Sequence, residues 1–138
     1  MRPSSITASV SERLRDKSTA TRIAVVGASN DPEKYGNIIV RNLARQGYSV
    51  LPVNPKGGTI AGLDAWPDLA SVPRPVHIVD LVTPPEVTKR VLESLDPRSI
   101  DAVWLQDGSF DDEVIRLAEA RFPVVVHHAC IMVVARTL

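Results

Sequence analysis

The residues with the most chemical promise sit at a turn. Gly27-Ala28-Ser29-Asn30 ends an apolar run and sets a glycine, two small side chains and an amide in sequence. Without a Cβ, Gly27 lets the backbone turn sharply and approach a ligand closely. A helix that starts just beyond would aim unpaired N–H groups and the positive end of its dipole at the same place. That is anion chemistry, phosphate above all. Lys34 and, further on, Asn54-Pro55-Lys56 add two ammonium groups and another amide to the candidate set. The dinucleotide fingerprint G-x-G-x-x-G is absent: Ser29 and Pro32 stand where the later glycines would lie, and Gly36 comes only near the helix start. An ordinary strand-to-helix turn explains the glycine equally well, and this loop alone leaves both readings open.

Other groupings carry less. Ser29 on a strand-to-helix turn invites comparison with a nucleophile elbow, but G-x-S-x-G would need glycine where Asp31 stands. His127, His128 and Cys130 have metal-ligand types. In a continuing strand the two histidines point to opposite faces, so at most one meets the cysteine, and a closed zinc site needs four ligands. A packed or surface histidine and a buried thiol are the plainer reading. Asp80 lies inside a strand near the expected crevice with no defined partner, while Asp111 and Asp112 suit a helix start. No catalytic set emerges, so the chain is expected to bind rather than transform, and no metal site is expected.

The elements that position these residues follow from periodicity. Arg22 to Val26 reads as a buried parallel strand. Ile38, Ile39 and Leu43 trace an amphipathic helix closed by Gly47, and Tyr48 to Val53 is the next strand. Gly57 to Pro75 is expected to be a loop with a short edge strand near Leu63 to Trp66, Trp66 covering the sheet. Val76 to Val82 is another strand. Thr83 is the N-cap candidate of the helix that follows, with Pro84 and Pro85 in its first turn and an apolar face reaching Leu95. Asp101 to Leu105, a helix from Asp111 to Arg121, and a strand from Pro123 to Val126 complete the alternation. Ile131 to Leu138 is a tail of undefined shape. Before the first strand, residues 1–21 form a leader, with Ile6, Val10 and Leu14 spaced for a short helix. Residues 22–138 form the main domain.

Strands alternating with helices specify an α/β fold, a doubly wound parallel sheet in three α/β/α layers. The expected order is third-second-first-fourth-fifth with one more strand at the far edge. The crevice then opens between the strands ending at Gly27 and Val82, where the winding reverses. Ala28 to Tyr35, Asn54 to Gly58, Thr83 to Pro85 and Gln106 to Gly108 converge on it.

The bulk numbers exclude several classes. In 138 residues, sixteen basic side chains balance sixteen acidic ones, leaving no electrostatic footprint for nucleic acid or for anionic lipid. A single cysteine excludes an internal disulfide and fits a reducing, cytoplasmic setting. Apolar runs are too short to span a membrane.

The end of the second strand bears on the ligand. Domains that bind NAD usually place an acid there to hold the ribose hydroxyls. This chain has Asn54-Pro55-Lys56 and no acid before Asp64, which suits a ribose carrying a phosphate and favours NADP or coenzyme A.

An ordered set of motifs sharpens this. Val25-Val26-Gly27-Ala28-Ser29, Pro32, Gly47-Tyr48, Pro52-Val53-Asn54-Pro55-Lys56, Ile60-Ala61-Gly62-Leu63, Trp66-Pro67-Asp68-Leu69 and Val103-Trp104-Leu105-Gln106 together resemble the small CoA-binding domain proteins. Their Rossmann-like fold is shared with the CoA-binding domain of the succinyl-CoA synthetase α subunit and of ADP-forming acyl-CoA synthetases. The resemblance covers about residues 10–136 and fades near Cys130. Tyr35-Gly36-Asn37 looks closer to the acyl-CoA synthetase version. The resemblance implies that Gly27, Ala28, Ser29 and Asn30 line a pyrophosphate and that Lys56 meets the ribose 3′-phosphate. It implies that Asn54 and Pro55 shape the adenosine side, that Val82, Thr83 and Pro84 close the other wall, and that the thioester arm leaves toward Gln106 or a partner. Coenzyme A or an acyl-CoA is thus the expected ligand of a stand-alone binding module. The alternatives are a small NADP reductase and a regulatory subunit that binds CoA to control a partner. A protein partner or a second copy of the chain stays open.

Overall fold

The computed structural model describes residues 7–138. The expected helix before the first strand is present as α1 (Ala8–Arg15), where the Thr7 hydroxyl accepts from the Val10 N–H. Ile6 lies outside the described residues. Five parallel strands form one sheet: β1 (Arg22–Val26), β2 (Ser49–Val53), β5 (Ile78–Leu81), β6 (Ala102–Leu105) and β7 (Val125–His127), in the order β2-β1-β5-β6-β7. Ile23, Ala24 and Val25 are fully buried because both faces of the sheet are covered, which is why β1 reads as an unbroken apolar run rather than an alternation.

The helices divide between the faces. α2 (Tyr35–Gln46) and α5 (Ile131–Thr137) lie on one side, with α1, where Val10, Leu14, Ile39, Leu43, Trp104 and Ile131 share a core. α3 (Pro85–Ser94) and α4 (Asp112–Arg121) lie on the other, with Val26, Val53, Leu81, Leu92 and Val114. Three layers result, as the alternation of elements implies.

Several local expectations need correction. The edge strand near Leu63 to Trp66 does not join the sheet. β3 (Thr59–Ile60) and β4 (Leu63–Asp64) pair with each other as a small antiparallel hairpin. β4 packs beside β2, and Trp66, just beyond it, makes a single parallel bridge to Val53. β2 is thus the true edge, which explains Pro52 within it: a residue without an N–H is tolerated only where that position faces outward. Thr83 is not the N-cap of α3. That position is Pro84, and the Thr83 hydroxyl instead lies 2.8 Å from that of Thr88. The undefined tail is helix α5, whose N-cap Cys130 makes no side-chain capping bond. His127 and His128 do not diverge to opposite faces. His128 takes a left-handed backbone, φ 58°, which breaks the alternation and brings the two Nδ1 atoms to 2.6 Å.

Candidate functional site

The strand order reverses at β1, whose neighbours β2 and β5 are reached by crossovers on opposite faces. The crevice therefore opens above the carboxyl ends of β1 and β5. Gly27 caps β1 with φ 97°, and a Cβ there would lie 3.0 Å from the Val82 carbonyl carbon and 3.1 Å from Thr83 Cγ2. The loops after β1 and β5 are in contact at this glycine and would be wedged apart by any side chain. Gly27 and Ala28 both donate to the Val53 carbonyl, at 3.2 and 3.3 Å. Ala28 is buried; Ser29 is half-buried and Asn30 exposed.

Gly36 supplies the second close approach. A Cβ on it would sit 2.2 Å from the Gly27 carbonyl oxygen, so the first turn of α2 rests directly on the strand-end turn. A glycine thus performs the helix–strand packing role of the fingerprint, at a different spacing from G-x-G-x-x-G. Pattern matching alone misses it; its signal was an otherwise unexplained glycine near the start of a helix.

Side chains then lock the loops. Asn54 donates to the Ala28 carbonyl at 2.8 Å, tying the loop after β2 to that after β1, while its Oδ1 accepts from the Lys56 N–H at 2.9 Å. Asn37 donates to the Ser29 carbonyl at 2.8 Å, and Arg41 Nε donates to Asn37 Oδ1 at 2.6 Å. Ser29 Oγ accepts from the Asp31 N–H at 3.0 Å. Lys34 is the N-cap of α2, and its ammonium, a donor only, leaves the first N–H groups of the helix uncapped by its side chain.

Two hollows flank the Asn54-Pro55-Lys56 segment. The polar one, about 320 Å³, is lined by Ser29, Asn30, Lys34, Asn54 and Lys56, with Asp31 the one carboxylate among its lining residues. The other, about 840 Å³ and mainly apolar, lies on the α3 side between Val53, Pro55, Leu69, Thr83 and Val87, with Arg74 at its wall. The structure thus gathers Ser29, Asn30, Lys34, Asn54 and Lys56 on one side of the segment, and Gly27, Pro55 and Thr83 on the other. Val82 and Pro84 are not among the residues that line either hollow: the Val82 N–H donates to the Val26 carbonyl at 2.9 Å, and Pro84 is the N-cap of α3. Gln106 stands apart from both hollows: it is 1% exposed, and its Oε1 accepts from the Ile131 N–H at 2.9 Å. Leu69 and Arg74 were missed as lining residues. Leu69 belongs to a motif that carried the family resemblance, whereas nothing in the sequence marks Arg74.

A third grouping lies on the α2 and α5 face. The Tyr35 hydroxyl and Cys130 Sγ are 3.1 Å apart. Burial, and then this hydrogen bond, push the Tyr35 phenol upward. Asp80 is fully buried, and neither of its oxygens has a partner. Burial pushes this carboxyl well above the usual carboxylate range, and the Cys130 charge adds to the effect. Cys130 itself is half-buried rather than sealed in the core. Among the described residues, no group of three or more His, Cys, Asp or Glu is placed to hold a metal ion. Among the described residues, no helix is long and apolar enough to cross a membrane either.

Glycine contacts at a parallel-sheet switch point, two lysines beside a polar hollow and an apolar hollow next to it define the nucleotide-binding class of doubly wound domains. Within that class the assignment is specific. The chain belongs to the CoA binding domain family, whose description matches residues 21–136.

Similar proteins are both small and large. The uncharacterized protein YneT of Bacillus subtilis is 28% identical over 112 residues, covering 81% of this chain and 83% of YneT. The α subunit of an ADP-forming acetate–CoA ligase II from Pyrococcus furiosus is 32% identical over 91 residues, 65% of this chain but only 20% of the subunit. Among solved structures, a hypothetical protein from Pyrococcus horikoshii superposes with a TM-score of 0.83 at 29% identity, covering 100% of this chain and 96% of that one. A conserved hypothetical protein from Pyrococcus furiosus gives 0.73 at 36% identity, over 82% of this chain and 97% of the other.

Proposed function

We propose that the chain binds coenzyme A or an acyl-CoA in the switch-point crevice and acts as a stand-alone, non-catalytic binding module. The observation that carries this is the pair of hollows on either side of Asn54-Pro55-Lys56, one polar with two lysines and one apolar. An adenosine carrying phosphates needs both environments side by side. In this reading the base enters the apolar hollow against Pro55, Thr83 and Val87. The pyrophosphate lies over Gly27 to Asn30 and the N-terminus of α2. Lys34 and Lys56 meet phosphate oxygens, Lys56 the one on the ribose. Val82 and Pro84 form the far wall through their backbone. Gln106 acts at a distance, by fixing the start of α5. Family membership and the likeness to parts of acetate–CoA ligases support the choice of ligand.

Calorimetric titration tests the reading. CoA is expected to bind more tightly than dephospho-CoA, NADP or NAD. Lys56 is exposed, so its charge-assisted contact is screened, and Lys56→Ala should weaken CoA by several-fold to about tenfold. The same change should leave dephospho-CoA nearly unaffected. Equal affinity of the wild type for CoA and dephospho-CoA would remove Lys56 from the phosphate. Tighter binding of NADP than of CoA would hand the crevice to a reductase.

A further inference from the structure

We propose that Cys130 is a thiol–disulfide exchange site for the ligand's own sulfur: CoA disulfide held in the crevice transfers one CoA to Cys130 as a mixed disulfide, with Tyr35 and Asp80 completing the site. This rests on the CoA reading above.

The placement comes first. Tyr35 is the first residue of α2, the helix whose N-terminus faces the proposed pyrophosphate site, and its hydroxyl touches Cys130 Sγ at 3.1 Å. In the CoA reading, the only thiol of the chain therefore stands beside the end of the pyrophosphate site from which the pantetheine arm would depart. Its position is fixed from both sides: Trp104 Nε1 donates to the Ala129 carbonyl at 2.8 Å, and the Ile131 N–H donates to Gln106 Oε1 at 2.9 Å. Cys130 is half-buried, open enough to react and enclosed enough to select.

Asp80 is the independent sign that something else belongs here. It stands on β5, in register with Val25 and Trp104. Its carboxyl is fully buried, and both oxygens lack a partner. Native interiors rarely leave a polar group unpaired without a use for it. A carboxyl that burial pushes toward its neutral form sets less negative charge against a sulfur anion and can carry a transferable proton.

The chemistry balances. The Cys130 thiolate attacks one sulfur of CoA disulfide, and the Cys130–S–S–CoA bond forms as the bond between the two CoA sulfurs breaks. The departing CoA thiolate takes up the proton that Cys130 gave up. One thiol and one disulfide enter, and one of each leaves. The Tyr35 hydroxyl donates to the sulfur while it is anionic. The ionisable groups that face this site are Tyr35 at the start of α2 and Asp80 on β5, with Asp107 after β6 acting on Tyr35 and His128 two residues before the cysteine.

Intact-mass measurement after incubation with CoA disulfide tests this. The wild type should gain one CoA less two hydrogens, reversibly with dithiothreitol. Cys130→Ser should gain nothing yet titrate with CoA as the wild type does. Glutathione disulfide, the same bond without the nucleotide, should react at least tenfold more slowly. Tyr35→Phe should move the pH profile of adduct formation to higher pH, and Asp80→Asn, neutral but without a transferable proton, should slow the exchange several-fold. A wild type that binds CoA but gains no adduct overturns the exchange and leaves the CoA reading standing. A protein that binds no CoA at all fails at the earlier reading instead. Equal rates with glutathione disulfide would reduce Cys130 to an accessible thiol, and unchanged rates in both Tyr35→Phe and Asp80→Asn would dissolve the site.

Discussion

Three side chains and one missing side chain carry much of the local physics. A Cβ at Gly36 would meet the Gly27 carbonyl at 2.2 Å, and a backbone oxygen has no rotamer by which to yield. Gly36→Ala should therefore push α2 off the turn at a cost of about 1–3 kcal/mol, seen as a lower melting temperature. An unchanged melt would show that the helix accommodates the methyl by sliding. Asp80 gives the opposite kind of result. Its unfolded carboxyl titrates near 3.8 and its folded one well above, so folding takes up a proton between the two. The stability it contributes is complete below the unfolded value and is lost as pH rises through the folded one. Asp80→Asn should melt higher than the wild type at neutral pH, with the gain shrinking toward pH 4. Parallel melts from pH 4 to 8 decide it, and parallel slopes would mean the carboxyl finds a partner in solution. His77 and His127 act in the other sense: burial holds both below 6.5, so their contribution is lost as pH falls through that value. For His77 the cause is visible, since its Nδ1 accepts from the Arg22 N–H at 3.0 Å and a second ring proton would remove that acceptor.

Among the elements, α1 was expected as a leader, and its packing is close. Val10 and Leu14 are fully buried, Tyr48 donates its hydroxyl to the Leu14 carbonyl, and Arg13 pairs with Asp101 at 3.2 Å. Burial pushes the Tyr48 phenol up to about 12, which keeps that donor intact across any ordinary pH. Leu14→Ala should cost about 2–5 kcal/mol in a chemical denaturation experiment. A loss below 1 kcal/mol would make α1 an ornament. The strands and long helices were legible because their signals are local: valine runs ending in Gly27, a 3.6-residue stripe ending at Gly47, Asp111 accepting from the Val114 N–H at 2.9 Å at the start of α4. α5 was not, because an apolar tail of seven residues without a capping side chain has no boundary to read. The pairing of His127 with His128 was hidden for another reason: a left-handed backbone at a non-glycine residue is set by tertiary packing, not by residue type. In the candidate site, the phosphate turn and Lys56 could be read from the chain. The apolar hollow could not, since Leu69 and Arg74 reach it only after the loop beyond β4 folds back across the sheet.

For the molecule as a whole, the margins of the sheet have a consequence. Open edges of parallel strands are templates on which like strands from other molecules can add. One margin, β2, is interrupted by Pro52 and occupied at its end, where Trp66 donates to the Pro52 carbonyl and the Asn54 N–H donates to that of Trp66, both at 2.9 Å. The other margin, β7, offers only Val125–His127 before the chain turns into α5. A strand arriving from a second molecule finds a proline and an occupied end on one side and three residues of ladder on the other. Fibrous growth through the sheet has no place to begin, so crowding should raise light scattering little so long as the fold is intact. The same closure lets such a domain be spliced into longer polypeptides without gluing them together.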